Sequence, residues 1–218
     1  MKGKRLVIFQ GGLIRDWKMR LLLFSDLHSD FRTASKLVEL SKDVDIVVGA
    51  GDFCIGRRGL ETIINALSPI KKPTVLVPGN SESDEELIEA CRSWKSAHVL
   101  HGRQVSIDET AFFGVGGGIP ITPFGSLSYD FSEDQAYELL RDCPPGCILI
   151  SHSPPQGVLD LSSDGRRLGS RAVRKAIEHK QPALVVCGHI HGSSGQTDRL
   201  GDITVINAGP RGIIYNIG

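Results

Sequence analysis

The sequence predicts an α/β fold in which two stacked sheets carry helices on their outer faces. Three features predict it: short runs apolar on both faces, helical-period segments between most of them, and two places where that alternation breaks. The runs Leu21–Phe24, Ile46–Val48, Val75–Val77, Ile148–Ile150, Leu184–Cys187 and Ile203–Ile206 are rich in β-branched residues and bounded largely by Gly, Pro or Asp. Strands this apolar suit burial between layers. Helical spacing marks Thr33–Leu40, Leu60–Leu67, Ser83–Trp94, Ser132–Arg141 and Ser170–His179. Two of these open on a serine cap followed by first-turn acids, Ser83-Asp84-Glu85-Glu86 and Ser132-Glu133-Asp134. Strands alternating with helices imply parallel pairs joined by crossovers. The alternation breaks at Gln104–Asp108 and Ala111–Val115, which read as an antiparallel hairpin joined at Glu109-Thr110. It breaks again between Ile203–Ile206 and Gly212–Ile217. Both sheets are therefore expected to be mixed.

The bulk composition fits one sizeable domain: 218 residues, 40% hydrophobic and 23% charged. Met19-Arg20-Leu21 reads as a natural beginning, so residues 1–18 are expected to be an N-terminal extension and 19–218 a single domain. The alternative is an edge strand at Arg5–Phe9. Lys plus Arg equals Asp plus Glu at 25 each, which gives no strong nucleic-acid or anionic-membrane signal. No apolar run approaches the roughly 20 residues that span a bilayer. The cysteines Cys54, Cys91, Cys143, Cys147 and Cys187 are odd in number and fit no zinc-ribbon spacing. A cytoplasmic protein is expected, with Cys143 and Cys147 as half-buried residues flanking a Pro-Pro-Gly turn.

Ligands of α/β sheets gather beyond the carboxyl ends of the strands. Here those ends deliver Asp26-Leu27-His28, Gly51-Asp52, Gly79-Asn80, Ser151-His152 and Gly188-His189-Ile190-His191. Singly, each block is a common cap, turn or structural histidine. Together, in this order, they form a mixed N/O ligand set suited to Mn, Fe or Zn more than to Ca or Mg. Two carboxylates, four imidazoles and one amide are too many for one ordinary ion and about right for two.

The five blocks in this order resemble the calcineurin-like metallophosphoesterase superfamily, over the chain from about residue 20 to its end. The resemblance implies a four-layer αββα sandwich and two divalent transition metal ions, Mn favoured. By position, Asp26, His28 and His191 would hold one ion, Asn80, His152 and His189 the other, and Asp52 would bridge them. The implied reaction is hydrolysis of a small phosphoester, with Asp52, Asn80 and His152 counted as catalytic. Many members carry a histidine after the Gly-Asn pair, usually assigned general-acid work. This chain has Gly79-Asn80-Ser81-Glu82, and losing a positioned acid typically costs about 10²–10⁴-fold. That tilts the expectation toward a phosphodiester with a good leaving group, or toward His98 or His101 as a replacement donor. The alternative is a catalytically weak, metal-binding scaffold with the same fold.

Three further segments carry expectations. The loop 153–170, with Pro154-Pro155 and Asp164-Gly165-Arg166-Arg167, is a candidate rim or lid in which Arg166 would contact substrate, with Ser81 as a second contact. Arg57-Arg58 invites the same reading. Gly116-Gly117-Gly118 reads as a flexible turn and not as a phosphate cradle, because no P-loop Lys-Ser/Thr follows. Oligomeric state is not legible in the sequence. A chain beginning at Met19 should keep the full chain's thermal stability and activity; a collapse in stability would show that the first 18 residues belong to the fold.

Overall fold

The computed structural model of the protein describes residues 19–218; the expected extension and the alternative strand at Arg5–Phe9 lie outside them. Five strands form the first sheet, in the order β11 (Ile213–Ile217), β1 (Met19–Phe24), β2 (Ile46–Gly49), β3 (Thr74–Leu76), β4 (Ala97–Val99). Six form the second: β5 (Arg103–Ile107), β6 (Thr110–Val115), β7 (Ile148–Ser151), β8 (Leu184–Cys187), β10 (Ile203–Asn207), β9 (Thr197–Leu200). Each sheet has four parallel strands, β1 to β4 in the first and β6, β7, β8 and β10 in the second. Strands β11, β5 and β9 join them antiparallel at the edges.

The two-residue period of a strand explains the layers. Leu21, Leu23, Ile46, Val48 and Val75 point inward and meet Phe112, Ile148, Ile150, Leu184, Val186 and Ile206 of the other sheet. Their neighbours Leu22, Phe24, Val47 and Leu76 point outward under α1 (Phe31–Leu40), α2 (Leu60–Leu67) and α3 (Asp84–Ala90). On the far side, Phe113, Leu149, Val185 and Val205 lie under α4 (Glu133–Leu140) and α5 (Arg171–Lys180). The result is the expected αββα sandwich, and both faces of the central strands are dry because both are covered.

Local chemistry sets the helix ends. Asp30 caps α1 by accepting from the Arg32 and Thr33 N–H groups. Ser83 and Ser132 each form a reciprocal capping box, with Glu86 and Gln135. Helix α3 stops at Ala90, short of the expected Trp94, whose indole instead donates to the Ile70 carbonyl. The hairpin turn falls on Asp108-Glu109, one residue earlier than expected, with positive φ at both positions as a primed turn requires. Strands β4 and β9 are edge strands that the apolar pattern missed. Cys143 and Cys147 are fully buried, not half-buried, with sulfurs 3.6 Å apart; the apolar core around β7 and α5 surrounds them. No helix among the described residues is long and apolar enough to cross a membrane.

Leu21→Ala should destabilise the protein by about 2–5 kcal/mol, the usual range for truncating a fully buried leucine. Urea unfolding checks this. Ile214→Ala, on the partly exposed partner of Leu22, should cost a small fraction of that.

Candidate metal centre

The five expected blocks meet at one end of the sandwich. Beyond β1 and β2 the ladder continues through irregular backbone: the Asp26 N–H donates to the Gly51 carbonyl at 2.8 Å, and that of His28 to Asp52 at 3.1 Å. Asp26, His28, Asp52 and His189 all have positive φ, a strained setting for residues with side chains that turns each one across the strand end. Gly79 makes the close approach possible. A Cβ there would fall 2.0 Å from Asp52 Oδ1, so only glycine lets the β3 loop pack against Asp52.

The imidazoles are oriented from behind. His152 is completely buried, and its Nδ1 donates to the Ala50 carbonyl at 2.7 Å. His28 donates likewise from Nδ1 to the Cys54 carbonyl at 3.2 Å. A carbonyl can only accept, so both rings carry their proton on Nδ1 and present Nε2 to the cleft. His152 Nε2 lies 3.2 Å from Asn80 Oδ1 and 3.5 Å from Asp52 Oδ1. His28 Nε2 lies 3.7 Å from Asp52 Oδ2 and 3.0 Å from His191 Nε2. Each carboxylate oxygen of Asp52 thus faces a different imidazole. His191 Nε2 is 3.8 Å from Asp26 Oδ1, and the rings of His152 and His189 sit 4.9 Å apart.

Two sets of ligand atoms converge within 4.8 Å of one another: Asp26, His28 and His191, and Asp26, Asp52 and His152. Asp26 therefore reaches both halves. The donor chemistry fits metal ions. Asp26 and Asp52 are almost fully buried, and the cationic partners near them are imidazoles, not lysine or arginine. Burial opposes ionisation of Asp52, but His152, the Ser81 N–H, His28 and His189 outweigh it and hold its carboxyl below the usual range. Burial also opposes charge on His152, yet Asp52 and Asp26 raise its pKa. Burial and the neighbouring His152 push His189 down to about 3, leaving a neutral ring whose lone pair is free to bind a cation.

Residues the sequence did not single out complete the surroundings. The buried Glu82 carboxylate accepts from the backbone N–H groups of Gly79 and Asp52, at 2.7 and 2.8 Å. Asn80 donates to Ser128, which donates to Asp130 at 2.7 Å, so its carbonyl oxygen is turned toward His152. Asn207 donates to the carbonyls of Gly188 and Ile190, on either side of His189. These two bonds hold the histidine loop.

Other expectations change. His101 accepts from the Gly116 N–H through Nδ1 and packs on Phe131, and His98 sits in edge strand β4; neither lines the cleft, so neither replaces the missing acid. Arg57 is paired with Glu86 at 2.8 Å and faces a separate groove of about 740 Å³ lined by several glutamates, not the cleft. Gly116, Gly117 and Gly118 are buried, and their N–H groups are committed to His101, Pro78 and Tyr129, so this turn is packed, not flexible. The loop 153–170 does supply cleft residues Ser162, Ser163, Arg166 and Leu168. Buried Asp160 pins it by accepting from Gly157 and Arg167, which makes it a rim. Arg166 is at that rim with its Nε on Asp164 at 2.7 Å, and Ser81 also lines the cleft.

A double-sheet sandwich that gathers buried carboxylates and imidazoles at its strand ends is an arrangement suited to a metal-dependent hydrolase. A family model described as calcineurin-like phosphoesterase matches residues 19–193, and the chain belongs to that family. It is 28% identical over 208 residues to the UPF0046 protein K07C11.7 of Caenorhabditis elegans, covering 87% of this chain and 69% of that one. Its fold is similar to that of TT1561 from Thermus thermophilus, 19% identical, with TM-score 0.72 and coverage of 92% and 99%. A dimetal phosphatase from Danio rerio shares the fold at 14% identity, with TM-score 0.61 and coverage of 88% and 87%.

Divalent transition metal should raise the melting temperature of metal-free protein. At about 100 times its Kd, one bound ion stabilises by about 2.7 kcal/mol. Thermal scans with and without Mn²⁺ measure the shift, which Asp52→Asn should largely abolish. An unmoved melting temperature together with no metal by elemental analysis would refute the centre.

Proposed function

We propose that the protein is a phosphoesterase that uses two divalent metal ions, with Mn favoured, to hydrolyse a phosphodiester. The observation that carries this reading is the convergence of Asp26, His28, Asp52, Asn80, His152, His189 and His191 from five strand ends on one cleft. Asp26, His28 and His191 would hold one ion, Asn80, His152 and His189 the other, and Asp52 would join them through its two oxygens. When bound, two such ions supply Lewis-acid stabilisation of the phosphoryl oxygens and lower the pKa of water.

The chain's own residues do the remaining work. The Ala50 and Cys54 carbonyls fix the tautomers of His152 and His28, so their Nε2 atoms need no reorganisation. The Ser81 N–H donates to Asp52 Oδ1 at 2.8 Å and fixes the carboxylate between the two halves. The Ser81 hydroxyl is a weak proton donor where many relatives place an imidazole. A departing group that leaves without protonation, as in an activated diester, suits that gap. Against a catalytically weak metal-binding scaffold, all seven ligand-type residues are present, whereas a drifting site would be expected to lose some of them.

Hydrolysis of bis-p-nitrophenyl phosphate by Mn²⁺-loaded protein tests the reading. Turnover should vanish with chelator and fall by at least about 10²-fold in Asp52→Asn. No turnover despite confirmed metal occupancy would favour the scaffold.

A further inference from the structure

The cleft above the metal-type cluster has a volume of about 430 Å³ and two unlike sides. Its floor is His28, Asp52, Asn80, His189 and His191. One wall comes from a loop tied at its base. The Gly118 N–H donates to the Tyr129 carbonyl and that of Phe131 to Gly118, both at 2.9 Å. The Thr122 N–H and hydroxyl are held by Asp130. Within this tied loop Ile121 and Phe124 remain 64% and 61% exposed. Single exposed apolar side chains are ordinary. These two are different because Pro120, Pro123, Leu168 and Ile190 line the same cleft and make the apolar surface continuous with the polar floor. An apolar wall over a few convergent polar groups is the usual build of a small-molecule site.

Charge narrows the ligand further. Among the cleft-lining residues Arg166 is the sole lysine or arginine, and its Nε is engaged by Asp164. Among the described residues, then, the wall offers a second phosphate or a nucleic-acid backbone one cation, already partly neutralised by Asp164. We infer that the cleft takes an ester with one phosphoryl group and an aryl or similarly flat, apolar arm, the arm lying over Phe124 beside Ile121. This inference rests on the phosphoesterase reading above. It agrees with Ser81, because an aryloxide departs without a proton donor far more readily than an alkoxide does. Aromatic rings in contact prefer offset or edge-to-face packing, which the open face of Phe124 allows.

Calorimetric titration of the Mn²⁺-loaded protein with phenylphosphonate and methylphosphonate tests it, since neither is hydrolysed and they differ only in the arm. Phenylphosphonate should bind roughly tenfold more tightly, as expected for burying one additional apolar group. Phe124→Ala should reduce that preference to about twofold or less while leaving methylphosphonate unchanged, and Phe124→Trp should keep it. Phe124 is outside the core, so these variants fold. Equal binding of the two phosphonates, or a preference that survives Phe124→Ala, overturns the inference even if bis-p-nitrophenyl phosphate is still hydrolysed. If neither phosphonate binds and metal-dependent turnover is also absent, the phosphoesterase reading fails and the inference falls with it.

Discussion

A single buried carboxylate holds the two central loops together. Glu82 is completely inaccessible, and its oxygens accept from the backbone N–H groups of Asp52 and Phe53 on the β2 loop and of Gly79 on the β3 loop. Burial, followed by the charge of Asp52, pushes its pKa up to about 7, while the Gly79 N–H pulls the other way. A carboxylate in so dry a place persists only where hydrogen bonds compensate its lost hydration. Those bonds also satisfy amides that the irregular backbone would otherwise leave orphaned. The backbone of Asp52 is held by this contact, and its carboxylate by the Ser81 N–H from the same β3 loop.

The rest of the site repeats that logic with weaker parts. Three ligand-type side chains are oriented by groups from elsewhere in the chain, His152 by Ala50, His28 by Cys54 and Asn80 through Ser128 and Asp130, while Asn207 and the Asp26 carboxylate hold the backbone around His189. The backbone strain at Asp26, His28, Asp52 and His189 is held by two sheets packed together through a large apolar cluster. Rigid layers below permit unfavourable φ values above.

Much of this was legible in the sequence. The six apolar runs marked buried strands because both faces are covered, and the blocks after five of them marked the cleft because ligands collect at strand ends. What was missed shares one cause. Strands β4 and β9 are short, lie at sheet edges and have little apolar pattern, so pairing alone defines them. Asp130, Ser128 and Asn207 act on partners 17 to 48 residues away or through an intermediate, and no local spacing announces that. Glu82 was visible beside Asn80, but its partners on the β2 loop lie about 30 positions back. His101 misled because a histidine near a strand end looks chemical until its Nδ1 is seen accepting from a glycine amide.

The absent imidazole after Asn80 and the apolar wall are two halves of one constraint. Stabilising a departing alkoxide requires either a proton donor at the leaving oxygen or a leaving group acidic enough not to need one. In the proposed reading the Ser81 hydroxyl would not supply the first option, while its backbone N–H keeps Asp52 in place. Selectivity must then be exercised on the organic arm, and that requires a surface able to distinguish arms. In the proposed reading Ile121 and Phe124 would provide it, on a loop pinned through Thr122 to Asp130, the same carboxylate that orients Asn80 through Ser128. Recognition of the arm and placement of the floor would then be anchored on one residue, with three hydrogen bonds, Thr122 to Asp130, Ser128 to Asp130 and Asn80 to Ser128, linking wall to floor.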